Sequence, residues 1–384
     1  MKKLIKVIIV CLFVVLSSCS SEDEISEIDK SENTYLLDAD YSILHSNMAW
    51  LRNMDMTEDY IVLFPYVSIG DLIPQSGEMP DGTVISYLHN DEAEVLDSDP
   101  SSSCSIQNLK ECDGFVSGNN FNVYKDKIYY IASVYDHASD SETQYISRCD
   151  FDGRNQEKLF KVPLQENEKT TTGGYNLFEL HRNKIYFMNG EQFYIGDVDT
   201  LDFNDVQFDG VKGIVDIFFD DSTTYISAEQ YEKDDKVHFD VTLECDLSLN
   251  VKKIIEEDKN LIFIDKDMMF YTEDMKTYLL NRNTKKISKI GDTIFNTIFY
   301  HDGYYLLDNS VYYDETPMII LMDKNGEIIY TKDLRNKEMF FHRPQIFTGD
   351  RLYVSNGRNK FGYFPIKDNE IGDYIELVNI EGEE

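Results

Sequence analysis

The sequence predicts an all-β chain, a β-propeller of four-stranded blades, seven by count with six as the alternative. Three observations predict it. Tyr (26) and Phe (23) are abundant while Pro (8) and Trp (1) are scarce. Apolar residues come in runs of three to five and never in long stripes of helical period, which fits pleated, half-buried strands. Two turn markers also recur in step along most of the chain.

The first marker is an acidic or Asn turn residue followed closely by a β-branched or aromatic run. It reads Glu58-Asp59-Tyr60-Ile61-Val62, Asp126-Lys127-Ile128-Tyr129-Tyr130, Asn183-Lys184-Ile185-Tyr186-Phe187 and Asp220-Asp221 leading to Tyr225-Ile226. Three more copies follow at Asp267-Met268-Met269-Phe270-Tyr271, Asp302-Gly303-Tyr304-Tyr305-Leu306 and Asp350-Arg351-Leu352-Tyr353-Val354. An apolar strand precedes most of them, as in Phe121 to Tyr124, Leu177 to Leu180, Leu261 to Ile264 and Thr297 to Tyr300, so each copy opens with a hairpin.

The second marker is another Asp or Asn turn further on: Asn90, Asp150, Asp197, Asp246, Asn281, Asp323 and, less cleanly, Asp368. Two hairpins make a four-stranded antiparallel unit. The first-hairpin turns at 58, 126, 183, 221, 267, 302 and 350 are spaced by 35 to 68 residues. Four strands in roughly 40 to 50 residues is the period of a propeller blade, and so thin a sheet buries both faces only by stacking radially around an axis. The first copy is irregular, which keeps a six-bladed ring with an N-terminal extension open.

At Ile128-Tyr129-Tyr130, at Tyr145 to Asn155 and in the sixth copy, Ile319 to Ile329, the chain resembles bacterial extracytoplasmic propeller lipoproteins of unknown function, whose repeats are similar to the low-density-lipoprotein-receptor class of propeller. Only the second and sixth copies match closely; the others lack the Gly of the second turn. The resemblance implies a fold and a location and carries no agreed activity.

The N-terminus agrees with that location. Lys2, Lys3 and Lys6 open an apolar stretch that ends in Leu16-Ser17-Ser18-Cys19. Leu4 to Leu16 is about 13 residues and spanning a bilayer takes roughly 20, so residues 1–18 read as a cleavable signal peptide. Leu16 to Cys19 resembles the bacterial lipobox, which makes Cys19 the lipidation site and first mature residue. Residues 19–40 hold eight acids and one lysine, an acidic tether; an acidic run behind the lipid cysteine also resembles a surface-export signal of some Gram-negative lipoproteins. Residues 41–384 are read as one propeller domain. The protein is expected outside the cytoplasmic membrane, in the cell envelope or at the cell surface.

The chain carries 71 acids and 36 Lys plus Arg; without residues 1–18 the cations fall to 33 and the formal charge to −38. So acidic a chain is repelled by phosphate, which excludes nucleic acid and leaves the lipid on Cys19 as the only expected membrane contact. No cofactor is expected; structural calcium is the one ion its acidic loops would suit, at Asp136 to Glu142 and Asp197 to Asp202, although the EF-hand order is missing.

Among the cysteines, Cys104 and Cys112 lie in an insertion, Asp97 to Asn120, and seven intervening residues in an exported loop predict a small disulfide. Cys149 and Cys245 share one register, one residue before the second-hairpin turn of non-neighbouring copies, and are expected to be buried free thiols. The histidines, His45, His89, His137, His181, His238, His301 and His342, show no metal-ligand spacing; His181, His301 and His342 sit near first-hairpin turns and read as turn or rim residues. Strand tyrosines read as packing between blades, which leaves rim or insertion aromatics, Tyr66, Tyr231 or Tyr313, as the candidates for stacking on a sugar.

No nucleophile stands with a partnered base, and no phosphate loop or Ser elbow is present. Two functions remain: a non-enzymatic binding or scaffold propeller that presents its largest insertions, Pro65 to Asp81 and Asp97 to Asn120, to a protein, peptide or glycan, or a glycan hydrolase or lyase with carboxylates at the axial mouth.

Overall fold

In the computed structural model of the chain, the residues described are 54–56, 61–68, 81–89, 92–95, 115–116, 118–124, 127–136, 141–163, 177–189, 192–220, 222–231, 238–256, 260–295, 297–309, 317–335, 343–356 and 360–379. All of their regular structure is strand.

Among the described residues seven sheets of four or more strands follow one another along the chain, and all pairings within them are antiparallel. The first joins β1 (Met54–Met56), β2 (Ile61–Leu63), β5 (Ser86–His89) and β6 (Glu92–Val95). The second is β8 (Asn119–Tyr124), β9 (Lys127–Asp136), β10 (Ser141–Cys149) and β11 (Glu157–Lys161); the third is β12 (Phe178–His181), β13 (Lys184–Asn189), β14 (Gln192–Asp197) and β15 (Phe203–Val206). The fourth is β16 (Val211–Asp220), β17 (Thr223–Tyr231), β18 (His238–Asp246) and β19 (Val251–Glu256); the fifth is β20 (Asn260–Ile264), β21 (Met268–Glu273), β22 (Lys276–Asn281) and β23 (Ile287–Gly291). The sixth is β24 (Thr297–His301), β25 (Tyr304–Asp308), β26 (Met318–Asp323) and β27 (Ile328–Asp333). The first six are thus four-stranded. In the seventh, β28 (Arg343–Phe347), β29 (Arg351–Ser355) and β30 (Lys360–Lys367) are joined by two further strands on β30, β31 (Glu370–Ile371) and β32 (Ile375–Asn379).

The sheets close into a ring. The first strands lie innermost: β1 rests against both β8 and β28, β8 against β12, and β24 against both β20 and β28. Apolar seams fill the spaces between sheets. One cluster joins the first and second sheets through Val62, Phe64 and Ile128, another the second and third through Tyr129 and Phe178. A large one runs from the third to the sixth, one joins the sixth and seventh, and the last packs Met54, Met56 and Leu63 against Ile346, Tyr353 and Phe361 of the seventh. This is a β-propeller of antiparallel blades, as the turn markers predict. Burial between two neighbouring blades explains why the middle strands read as unbroken apolar runs: Met268 to Tyr271 of β21 and Ile319 to Met322 of β26 are buried throughout. Each such side chain contributes roughly 1.5 to 3 kcal/mol.

The second marker has a clear cause. The Asp or Asn turns its side-chain oxygen onto backbone N–H groups of its own turn: Asp197 accepts from Asp199 and Thr200, Asp246 from Ser248 and Asn250, Asn281 from Asn283 and Thr284, and Asp323 from Asn325 and Glu327. Each turn also needs one residue in the left-handed region. Gly153 and Gly326 supply it in the second and sixth blades, whereas Leu201, Leu249 and Lys285 take it, with φ of 58°, 65° and 61°, where the glycine is absent.

The irregular first blade is interrupted by a separate three-stranded sheet, β3 (Tyr66–Ser68), β4 (Asp81–Val84) and β7 (Phe115–Val116). Only Ile85 separates β4 from β5, so one stretch of chain leaves the blade and enters this sheet.

Candidate functional site

Position on the inner strand divides the ring. Asp55, Asn122 and Glu179 occupy one register, facing the second blade-strand residues Val62, Tyr129 and Tyr186. The same register holds Phe218, Phe263, Phe299 and Ile346 in the other four blades. All three are buried, and two of them reach the next blade: Asp55 Oδ2 accepts from the Val123 N–H at 2.6 Å, and Asn122 Nδ2 donates to the Phe178 carbonyl at 3.0 Å. Inner strands are sheet edges, so these side chains satisfy backbone groups that have no strand partner on the axial side. In the other blades rings meet across the seam at this register, with Phe218 edge-on to Phe263 at 6.1 Å.

The first-hairpin ends of blades three to six carry a chain of polar residues. His181 and Asp220 pair with the first residue of their second strands, Lys184 and Thr223. Asp265 and His301 stand at the corresponding places, where the Asp265 N–H donates to the Met268 carbonyl and His301 pairs with Tyr304. His181 is 3% exposed and stacks on Phe219 of the next blade at 4.6 Å. Burial pushes its imidazole down to about 3, against a backbone hydrogen bond with Asp220 that raises it, so the ring is neutral at physiological pH. Of the two readings for His181, it stands beside the first-hairpin turn but is not an exposed rim residue; an aromatic neighbour across the seam holds it inside. His301 likewise meets Phe347 of the following blade, edge-on at 5.9 Å, but is only partly buried.

Between blades four, five and six this chain becomes a network. Asp265 is 3% exposed; its Oδ1 accepts from the N–H groups of Asp267 and Met268, and its Oδ2 from the Tyr305 hydroxyl at 2.6 Å. Burial raises its carboxyl to about 6, which the three donors oppose and the Asp220 charge reinforces. Asp220 is raised in the same direction, first by its own burial, and accepts from the Lys266 N–H at 3.2 Å. Arg282, in the second turn of blade five, binds the Asp265 carbonyl, the Tyr225 hydroxyl at 3.0 Å and Glu244 at 3.2 Å. It also lies over the Tyr225 ring, 5.0 Å from the centroid. All donors and acceptors named here come from three blades, and Asp265 is closed off from solvent. The network locks blades together and offers no open carboxylate to a substrate.

The third feature is the small sheet. Tyr66 pairs with Thr83, and Thr83 and Val84 pair with Val116 and Phe115. Segments from both insertions that the sequence singles out thereby meet on β4, beside the first blade.

Cys19, Cys104 and Cys112 lie outside the described residues, as do the signal peptide, the tether, His45, His137, His342 and Tyr313. Cys149 and Cys245 are buried and free, and burial pushes both thiols up to about 12. In the 197–202 loop Asp197 accepts from its own turn and pairs with Lys184 at 3.0 Å, and Asp199 accepts from Asn183 of the first-hairpin turn at 2.9 Å. Among the described residues no group of three or more His, Cys, Asp or Glu is arranged to hold a metal ion.

No family model and no curated protein matches the chain. Among solved structures it is similar to the β-propeller domain of the trilobed protease from Pyrococcus furiosus, at 10% identity over 90% of this chain and 97% of that one, with a TM-score of 0.49. It is also similar to the acylaminoacyl peptidase of Pyrococcus horikoshii, at 13% identity and a TM-score of 0.45, over 70% of this chain and 47% of that one. The chain spans about half the length of that peptidase. The propeller assignment itself rests on the strand order and seams described above.

Proposed function

We propose that this chain is a binding or scaffold propeller, held outside the cytoplasmic membrane by a lipid on Cys19, that presents the first-blade insertions to a protein, peptide or glycan. The observation that carries this reading is the β3–β4–β7 sheet. It draws two long insertions onto one support rooted in the blade through Ile85, which is how a rigid scaffold positions variable loops for recognition. A disulfide between Cys104 and Cys112 would stiffen the longer insertion further. The catalytic alternative, a glycan hydrolase or lyase, calls for two reachable carboxylates about 5 to 10 Å apart. Asp220 and Asp265 are instead buried in seam contacts, which favours the binding reading.

The test is a glycan and peptidoglycan binding panel probed with the chain starting at Ser20 and with the same chain lacking residues 98–112. Loss of a bound probe with an unchanged melting temperature supports the reading. Binding that survives the deletion removes it.

A further inference from the structure

Six of the seven seams of the ring join blades that follow each other in the chain, and one joins the two ends of the described chain. A side-chain hydrogen bond crosses each of the six. Those of Asp55, Asn122, Arg282 and Tyr305 tie blades one to two, two to three, four to five and five to six. The Tyr186 hydroxyl of blade three donates to the Leu247 carbonyl of blade four at 3.0 Å, and Lys332 Nζ of blade six to the Ile371 carbonyl of blade seven at 3.0 Å. The seventh seam is built differently. All strands of the first blade come from 54–95 and all strands of the seventh from 343–379, so among the described residues neither sheet borrows a strand from the other. β1 rests against β28 and β6 against β32, and the seam is filled by Met54, Met56 and Leu63 packed on Ile346, Tyr353 and Phe361.

The first blade is braced on its other side. Side chains of β2 alternate between its neighbours, so Leu63 meets the seventh blade while Val62 meets the second. The small sheet strengthens the second contact: Ile85, where β4 enters the first blade, and Val116 of β7 are buried in the same cluster as Val62 and Ile128. After β7 only Ser117 and Gly118 precede β8, the inner strand of the second blade. A Cβ on Gly118 would come within 2.7 Å of the Ile131 carbonyl and the Tyr130 ring, so the chain is pressed onto that blade. The β3–β4–β7 sheet is thus rooted in blades one and two and spans the seam between them. We propose that the ring opens between the first and seventh blades, with the first two blades and the small sheet moving as one unit. Opening there breaks side-chain packing and leaves every β-ladder whole, whereas parting any other seam also breaks a hydrogen bond between blades linked by the chain. The closed ring is the major state, because opening exposes the apolar seam to water. In the open state the axis is reached from the side, between two blades.

The experiment is thiol labelling of the chain starting at Ser20, which keeps every strand of the ring, so its outcome is independent of Cys19 and of any partner. Val84→Cys and Ile346→Cys each put a thiol into the closing seam, one from either side. Val354→Cys puts one into the same seventh blade but facing the sixth, and native Cys149, in the seam of blades one and two, is the control within every variant. Labelling by iodoacetamide without denaturant, read by peptide mass spectrometry, is expected to be at least about tenfold faster at both closing-seam positions than at Cys149 or at Val354→Cys, and less dependent on urea. An unchanged melting temperature confirms folding, and Ile61→Cys and Val378→Cys, buried in the same seam, replace a variant that melts low. Labelling of the closing-seam thiols only in step with Cys149 overturns the inference, because the ring then opens only by unfolding. Equally fast labelling of Val354→Cys, or fast labelling on one side of the closing seam alone, also overturns it and assigns the motion to local unfolding of one blade.

Discussion

Tyr305 of the sixth blade donates its hydroxyl to the buried carboxylate of Asp265 in the fifth at 2.6 Å. The carboxyl of Asp265 stands at about 6 in the folded protein, above its ordinary value of 3.8. The folded state therefore binds this proton more tightly than the unfolded chain. Its stabilising contribution is complete below about pH 4, is lost as pH rises to about 6, and stays lost above that. Comparison with Asp265→Asn isolates the effect: from pH 4 to pH 7 the wild-type chain should lose roughly 2 to 3 kcal/mol relative to the variant, by denaturant unfolding at each pH. A constant difference across that range would place the raised group elsewhere.

Tyr305→Phe removes the hydroxyl donor and keeps the ring that meets Phe270 at 5.3 Å. Asp265 Oδ2 then loses its hydrogen bond in a dry seam, which costs about 1 to 3 kcal/mol at neutral pH. The loss should shrink in the Asp265→Asn background, because the two residues share one interaction. Additive losses in that double-mutant cycle would show that they do not.

Asp246 behaves in the opposite sense. Burial raises its carboxyl, but the Asn250 and Ser248 donors outweigh it and hold the group below the ordinary range. Its contribution is present at neutral pH and fades as pH falls through the lowered value. Asp246→Ala should cost about 1 kcal/mol at pH 7, at the low end for a charged hydrogen bond because the turn is partly exposed, and less at pH 3. Urea midpoints at the two pH values check this.

Cys149 and Cys245 should be inert in the native protein. Both are buried with thiols at about 12, so almost none is thiolate at neutral pH. Iodoacetamide followed by peptide mass spectrometry should leave both unlabelled until denaturant is added. Labelling of either without unfolding would mean that its seam opens.

The turn markers made the hairpins readable because an Asp or Asn that bonds its own turn is visible without neighbours, and Asp197, Asp246 and Asp323 do so. The left-handed residue was less visible: Leu249 takes the conformation that Gly326 takes in blade six, and burial of its side chain offsets the strain. His181 looked like a rim residue because its cover, Phe219, lies 38 residues away on another blade. The Asp55, Asn122 and Glu179 register emerges only once inner strands are aligned across blades. The β3–β4–β7 sheet left no signal, since strands of two to four residues joined over long insertions have neither period nor fixed turn.

Presentation of the two insertions requires β4 to tie them together, and amide hydrogen exchange in a Val116→Pro variant measures this. Val116 is buried and pairs with Thr83, and proline there removes an N–H and disfavours the pairing. Exchange should quicken at 81–84 and 66–68, with protection kept at 61–63 and 86–88. Unchanged exchange at 66–68 and 81–84, or loss of protection through the whole first blade, would contradict it.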